Sequence, residues 1–325
     1  MKSFFLMPPL ALIAVVVGYT FSSATIASGD VGAKQALLDM VKAMGSLNYQ
    51  GTLVYSQKGR IEPMKIFHTV RDGIEQERVV ALNSPMREII RDVDKITCYY
   101  PDTRKVVVEY HPSKGSFLLR LPEDIDSLAV SYSFNLGGQE HIALRPAQII
   151  DIVPKDEYRY ARRIWMDAET KLPLKFELIN DDGSVIEQAT FTSLQINDSI
   201  PITSLQAESL KGKLTWQVHN NEMLPANEIR FVFTSLPLGF RQVRYSRRKM
   251  RNSEFPVEHI LFSDGFSSVS VYVEQLEGDL KSDFRTRGAI HAYTKKLDNY
   301  QITVMGEVPL KTVQTIGDGM QYKGQ

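Results

Sequence analysis

The chain has 325 residues, 43% of them hydrophobic and 23% charged, with 38 basic and 38 acidic side chains. That length exceeds what one ordinary core holds and predicts two domains, each large enough to fold without staples. The charge balance excludes a general nucleic-acid binder, which carries a basic excess, and the lone cysteine, Cys98, excludes an intramolecular disulfide.

The N-terminus offers Lys2, an apolar run over residues 10–17 and small residues at Ser22-Ser23-Ala24 and Thr25-Ile26-Ala27. This pattern predicts a secretory signal peptide over residues 1–27, cut after Ala24 or Ala27. The run is too short for a membrane span, which needs roughly 20 residues, and no cysteine near the junction provides a lipid anchor. Next, Ala33, Leu37, Met40, Val41 and Met44 recur at helical spacing, with Asp30 placed to cap the helix and Gly45 to stop it. A single apolar stripe of this kind suits packing across one face of a sheet.

Residues 47–110 read as six short strands in an antiparallel meander. They are broken by turns at Lys58-Gly59, Asp72-Gly73, Asn83-Ser84-Pro85, Val93-Asp94-Lys95 and Pro101-Asp102-Thr103. Alternation groups Tyr49, Leu53 and Tyr55, then Met64, Ile66 and Val70, then Val106, Val108 and Tyr110. We read Tyr49, Leu53, Tyr55, Met64, Ile66, Val106 and Val108 as the lining of one apolar concavity. After a Pro- and Gly-containing stretch and a less regular region through Gly137-Gly138, residues 146–152 suggest a helix. Strands resume at Tyr158 and continue through hairpins to about Asp198, which sets a first domain at 28–198. Residues 199–212 read as a linker and 213–325 as a smaller β-rich domain. In that domain Asp264-Gly265 is a strong hairpin signal, and residues 311–316 suit either a last strand or a short helix.

Catalytic chemistry finds little support. His259 with Asp264 and Ser267 or Ser268 lies on a strand-to-strand hairpin, without the spacing of a nucleophile elbow. His68, His111, His141, His219, His259 and His291 are scattered singly, so no metal motif forms. No dinucleotide fingerprint or P-loop is present, and no cofactor is expected. Cys98 sits in an apolar strand and reads as a small buried hydrophobe. The densest charge feature is Arg241, Arg244, Arg247, Arg248, Lys249 and Arg251. It reads equally as a guarded strand edge or as an anion site for an acidic peptide or lipid phosphate. Arg159, Arg162 and Arg163 form a lesser cluster that we place on the same groove.

Several stretches together resemble the RseB/MucB family of regulators of the envelope-stress sigma factor sigma-E. They are residues 47–55, 77–91 and 98–102, then Pro237-Leu238-Gly239-Phe240, residues 259–265 and Gly306-Glu307-Val308-Pro309. The resemblance implies a mainly β (α+β) fold: a LolA/LolB-like open antiparallel half-barrel with packed helices, followed by a smaller β-rich C-terminal domain. It implies a periplasmic protein without catalytic residues that binds the periplasmic domain of a membrane-anchored anti-sigma factor and shields it from the site-1 protease. Lipid A, lipopolysaccharide or acyl chains would be the releasing ligands. The alternative reading is a periplasmic lipid or lipoprotein carrier of LolA type, and oligomeric state stays open.

Overall fold

The computed structural model describes residues 24–83, 85–110, 116, 119, 121–122, 124–207, 214–219, 222–225, 228–248, 255–276, 278 and 281–323. The expected signal peptide upstream of Ala24 lies outside the described residues, as do Lys249 and Arg251. Helix α1 (Ala24–Met44) leads into the meander β1 (Asn48–Gln57), β2 (Arg60–Arg71), β3 (Ile74–Ala81), β4 (Glu88–Arg91), β5 (Lys95–Tyr100) and β6 (Lys105–Tyr110). Positive φ at Lys58 and Gly59 (47° and 76°) and at Asp72 and Gly73 (53° and 76°) makes two-residue connections that match the twist of paired strands. A second meander follows: β7 (Tyr132–Ile142), β8 (Arg145–Pro154), β9 (Ala161–Asp167), β10 (Pro173–Ile179) and β11 (Val185–Asn197). β11 pairs antiparallel with β1 from Asn48↔Asn197 to Gln57↔Glu187 and so joins the two meanders into one sheet.

The remaining strands are β12 (Thr215–His219), β13 (Glu222–Met223), β14 (Phe231–Phe233), β15 (Arg241–Arg248), β16 (Val257–Ser263), β17 (Ser268–Gln275), β18 (Asp283–Arg287), β19 (Ile290–Leu297) and β20 (Tyr300–Glu307), then α2 (Leu310–Asp318) and β21 (Met320–Tyr322). The larger sheet has twelve strands in the order β12-β6-β5-β4-β3-β2-β1-β11-β10-β9-β8-β7. Its end strands do not meet, so it is open. The smaller has seven, β13-β15-β16-β17-β20-β19-β18, and β14 pairs separately with β21.

Each sheet buries one face under a helix. In α1, Ala33, Leu37, Met40 and Met44 pack against Tyr49, Leu53, Ile66, Val79, Phe134, Ile150 and Phe191. β7, four strands away from β11 in the order, comes back into contact with it, so this half of the sheet is rolled around the helix. In the smaller unit Val313 and Ile316 of α2 close a core with Ile260, Phe262, Val271, Val304 and Phe231. Among the described residues no helix is long and apolar enough to cross a membrane.

Four expectations change. Asp30 does not cap α1 but lies inside it, paired with Lys34 one turn on at 3.3 Å. Residues 146–152 belong to β8, not to a helix. Ile150 and Ile152 face the α1 core while Ala147 and Ile149 face a second cluster with Trp165 and Leu174, so burial on both sides erases the strand alternation. Residues 215–219, read as opening the second domain, pair in parallel with β6 instead, at the edge of the larger sheet. Finally, the register runs Leu53↔Met64, Ile66↔Val79, Val79↔Ile89, Ile89↔Cys98 and Cys98↔Val107. It is Val107 that shares a face with Leu53, so Val106 and Val108 are buried on the opposite face of the sheet from Tyr49, Leu53, Met64 and Ile66. Alternation orders residues within a strand, but the connections between strands decide which set turns inward.

The turn after β9 carries a pH-dependent contribution. Burial opposes ionisation of Asp167, but Arg145 and the backbone N–H groups of Glu169 (2.8 Å) and Thr170 (3.1 Å) outweigh it and hold the carboxyl below its ordinary range. A depressed carboxylate contributes stability above its unfolded pKa and loses it as pH falls through the folded value. Asp167→Asn is therefore expected to cost about 2 kcal/mol at pH 7, typical of a hydrogen-bonded charge. The gap should close as pH falls below about 4. Urea titrations of both proteins at pH 7 and pH 3 check this, and an undiminished gap at pH 3 would contradict the assignment.

Candidate functional site

The two sheets meet along a polar seam built by short turns of the smaller unit. At the β16–β17 turn, Asp264 Oδ1 accepts the backbone N–H groups of Phe266 (3.0 Å) and Ser267 (2.7 Å), while the Ser263 hydroxyl donates to Ser267 O at 2.9 Å. Gly265 there has φ +106°, a conformation other side chains rarely adopt. The turn is thus shaped by its own residues and presents Phe266 and Asp264 Oδ2 outward. Phe266 packs against the α1 core, edge-on to Tyr132 at 5.3 Å. Asp264 Oδ2 accepts the Tyr132 hydroxyl at 2.8 Å and Arg159 Nε at 2.5 Å.

Arg159 is the centre of this seam. Its side chain and that of Asp264 are both 0% exposed. It also donates to Asp156 and to the carbonyl of Leu238, and its guanidinium lies 4.8 Å from the Phe240 ring centre and 5.6 Å from that of Tyr132. The Pro237-Leu238-Gly239-Phe240 turn approaches so closely that a Cβ on Gly239 (φ +87°) would strike the Ser131 hydroxyl, which itself donates to Leu238 O at 3.1 Å. Arg162 adds a hydrogen bond to Ser267 Oγ at 3.1 Å and lies over Phe266. Burial pushes the Tyr132 phenol well above its ordinary range.

A second contact line runs along the ends of β1, β10 and β11 and the segment just before β9. Glu187 accepts the Tyr55 hydroxyl (2.6 Å) and the backbone N–H of Ala289 (3.2 Å), and Thr312 donates to Tyr158 O at 2.7 Å. Tyr160 packs with Leu178 and Ala289. Its phenol, 3.3 Å from His291 Nδ1, is pushed up to about 12 by burial first and then by Glu307, Asp181 and Glu187.

The sequence-selected residues distribute as follows. Tyr49, Leu53 and Ile66 are buried in the α1 core, with Met64 packed against it. Tyr55 reaches the second contact line, and Val106 and Val108 lie on the other face. A small apolar opening of about 10 Å³ lies beside this core, lined by Leu53, Leu119, Phe176 and Phe191 among others. The arginine cluster divides. Register places Arg241 and Arg244 on the face of the smaller sheet that carries His259 and Leu261, across from Ser263 and Leu261 respectively. Arg247 faces the other way and pairs with Glu228 (3.2 Å) and Glu258 (3.5 Å). Of Arg248 the backbone in β15 is described. Arg159 and Arg162, read as part of a surface groove, are buried at 3% and 4% exposure. Arg163 instead pairs with Asp151 at 2.6 Å.

The hydrolase constellation does not assemble. His259 stacks on Tyr272 at 4.6 Å and its Nε2 lies 3.0 Å from Ser270 Oγ, while Asp264 and Ser267 are engaged at the seam. Burial raises the Cys98 thiol, which disfavours the thiolate a nucleophile needs. Among the described residues no group of three or more His, Cys, Asp or Glu could hold a metal.

Residues 32–210 match the MucB/RseB N-terminal domain, and residues 225–321 match the MucB/RseB C-terminal domain. The chain belongs to the MucB/RseB family. A sigma-E factor regulatory protein RseB from Salmonella typhimurium is 28% identical over 316 residues, spanning 95% of this chain and 96% of that one. The structure of a Pseudomonas aeruginosa MucA/MucB complex superposes with TM-score 0.74 at 25% identity, covering 90% of this chain and 100% of the other. A crystal structure of MucB alone gives 0.64 at 26% identity, covering 90% and 99%. The seam turns, Pro237-Leu238-Gly239-Phe240 and Asp264-Gly265, fall in two of the three stretches on which the family resemblance in the smaller unit rests. Both read as turns in the sequence; the Gly-Phe pair in each, Gly239-Phe240 and Gly265-Phe266, was the available sign of a docking role.

Proposed function

We propose that this chain is a periplasmic negative regulator of the sigma-E type envelope-stress response. It binds the periplasmic region of a membrane-anchored anti-sigma factor and shields it from site-1 proteolysis. The observation that carries this reading is the likeness across both units to MucB in its complex with MucA, at TM-score 0.74 against 0.64 for MucB alone. We assign residues 28–198 and 213–325 as its two domains with the connection at 199–212, except that Thr215–His219 crosses back to the edge of the first domain's sheet. Arg241 and Arg244 form one basic rim of the partner surface, and Arg287 and Lys296, on the same face by register, form the other, beside Arg285, which pairs with Asp283 at 2.9 Å. An extended acidic segment of the partner suits that distribution. The test is digestion of the anti-sigma periplasmic region by its site-1 protease with and without this protein. Cleavage should slow in proportion to complex formed, and unchanged cleavage at saturating protein would overturn the reading.

A second reading, a carrier of acyl chains, is favoured by the apolar opening beside Leu53 and Phe191. Its cavity volume of about 10 Å³ is far below the ~300–1,000 Å³ of ordinary ligand pockets, so an acyl chain would enter only if the surrounding side chains moved apart. We therefore give lipid or lipopolysaccharide the part of a releasing signal. Mass spectrometry of natively purified protein should find bound lipid, and adding that lipid to the digestion should restore cleavage.

A further inference from the structure

We infer that Arg159 and Asp264 form a latch whose failure opens the two units relative to one another while each stays folded. Both side chains are fully buried, and they come from different units: Arg159 just before β9, Asp264 from the tip of the β16–β17 hairpin. Neither belongs to the centre of its own core. The cores lie under α1 and α2, and the seam is made of turns and strand ends. The groups joined here are a guanidinium, a carboxylate, the Tyr132 phenol, the Ser131 hydroxyl and the Leu238 carbonyl, all of which water can satisfy if the seam opens.

A buried ion pair offsets its desolvation only while both partners and their hydrogen bonds remain. Removing one partner penalises the closed arrangement and leaves the open one almost untouched, so the equilibrium between the two shifts by that difference. Apolar contacts along the same interface, chiefly Phe266 against the α1 core and Tyr160 with Leu178 and Ala289, hold the units together without fixing a charge. The latch therefore sets how firmly, and in which orientation, the units are docked.

The chemistry of Asp264 permits a clean dissection. Oδ1 shapes the hairpin through the Phe266 and Ser267 N–H groups, and Oδ2 alone reaches across the seam. Asparagine keeps an acceptor at the Oδ1 position and puts an N–H₂ donor where Oδ2 stood, facing the Arg159 Nε–H donor. Asp264→Asn thus preserves the turn and breaks the latch. Arg159→Met breaks it from the other side, leaving an apolar stem between the Phe240 and Tyr132 rings.

The experiment is hydrogen exchange by mass spectrometry with small-angle scattering on the whole purified protein and both variants. The readout needs no partner, so it stands or falls apart from the regulatory reading. Expected in both variants is exchange about a hundredfold faster over residues 128–131, 237–240 and 264–267, the scale of a buried charge losing its partner, with a larger maximum dimension and unchanged protection in β1, β2, β17 and β20. Unchanged exchange at the seam would overturn the latch. So would acceleration spread through both cores, which would make Arg159 and Asp264 ordinary contributors to folding.

Discussion

Glu258→Ala is expected to lower the stability of the smaller unit by about 3 kcal/mol, the lower end of the range for stripping one partner from a buried ionic cluster. Glu258 is 1% exposed and lies at the edge of the α2 core. It accepts the Tyr245 hydroxyl at 2.5 Å, Arg230 Nε at 3.1 Å and Arg247 Nη2 at 3.5 Å. The three donors differ in what they can do without it. Arg230 and Arg247 retain side-chain exposures of 34% and 27% and can rehydrate, and Arg247 still has Glu228. Tyr245, at 3% exposure, cannot reach water, and its phenol is already raised by burial and then by the Glu258 carboxylate. The loss is therefore dominated by one stranded hydroxyl plus the broken charge contacts. Calorimetry should show the melting of this unit fall by on the order of 15 °C, from the entropy of unfolding of a domain near 100 residues. Glu258→Gln keeps one acceptor and should fall by less. A drop under about 2 °C for the alanine variant would mean that the cluster contributes almost nothing.

Leu37→Ala should cost a comparable amount, about 3 kcal/mol, by a different route: lost burial plus a cavity the sheet cannot collapse into. Leu37 is 0% exposed on the α1 stripe, surrounded by residues from both meanders. The sheet wraps this helix instead of lying flat against it, so closing the void would require strands on both sides to move together. Val41 is half-buried on the same helix and is the internal comparison: Val41→Ala should cost under ~1 kcal/mol, as a partly exposed site does. Urea midpoints with unchanged slopes would measure both. Equal losses at the two positions would show that α1 is not clasped as described.

The legible and the hidden parts of the fold separate along physical lines. The β1–β6 meander could be read because its turns are local and carry Lys58-Gly59 and Asp72-Gly73, residues whose positive φ is demanded by the connection itself. α1 could be read because one stripe faces the core and the rest does not. β8 was misread because both of its faces are covered, by α1 on one side and by Trp165 and Leu174 on the other, leaving an apolar run with no period. The facing of Val106 and Val108 was lost because it accumulates over every strand pairing from β1 outward. At the seam, Arg159 and Arg162 looked like surface cations, since the side chains they meet across it, Asp264 and Ser267, are 105 residues away in sequence. Nothing near an arginine announces a partner at that distance.

The placement of β12 alters how this protein can be taken apart. The chain leaves β11 in the middle of the larger sheet, passes residues 202–205 against β2 and β3, and lays Thr215–His219 along β6 before entering the smaller sheet. A protein ending at Asp198 would therefore lack the strand that shields β6, and the bared segment is Lys105-Val106-Val107-Val108-Glu109-Tyr110. Three consecutive valines on an unpaired sheet margin are a template for self-association. Such a fragment should precipitate or form oligomers, and one carried through His219 should remain dispersed: the connecting segment belongs to the larger unit's solubility as much as to its reach.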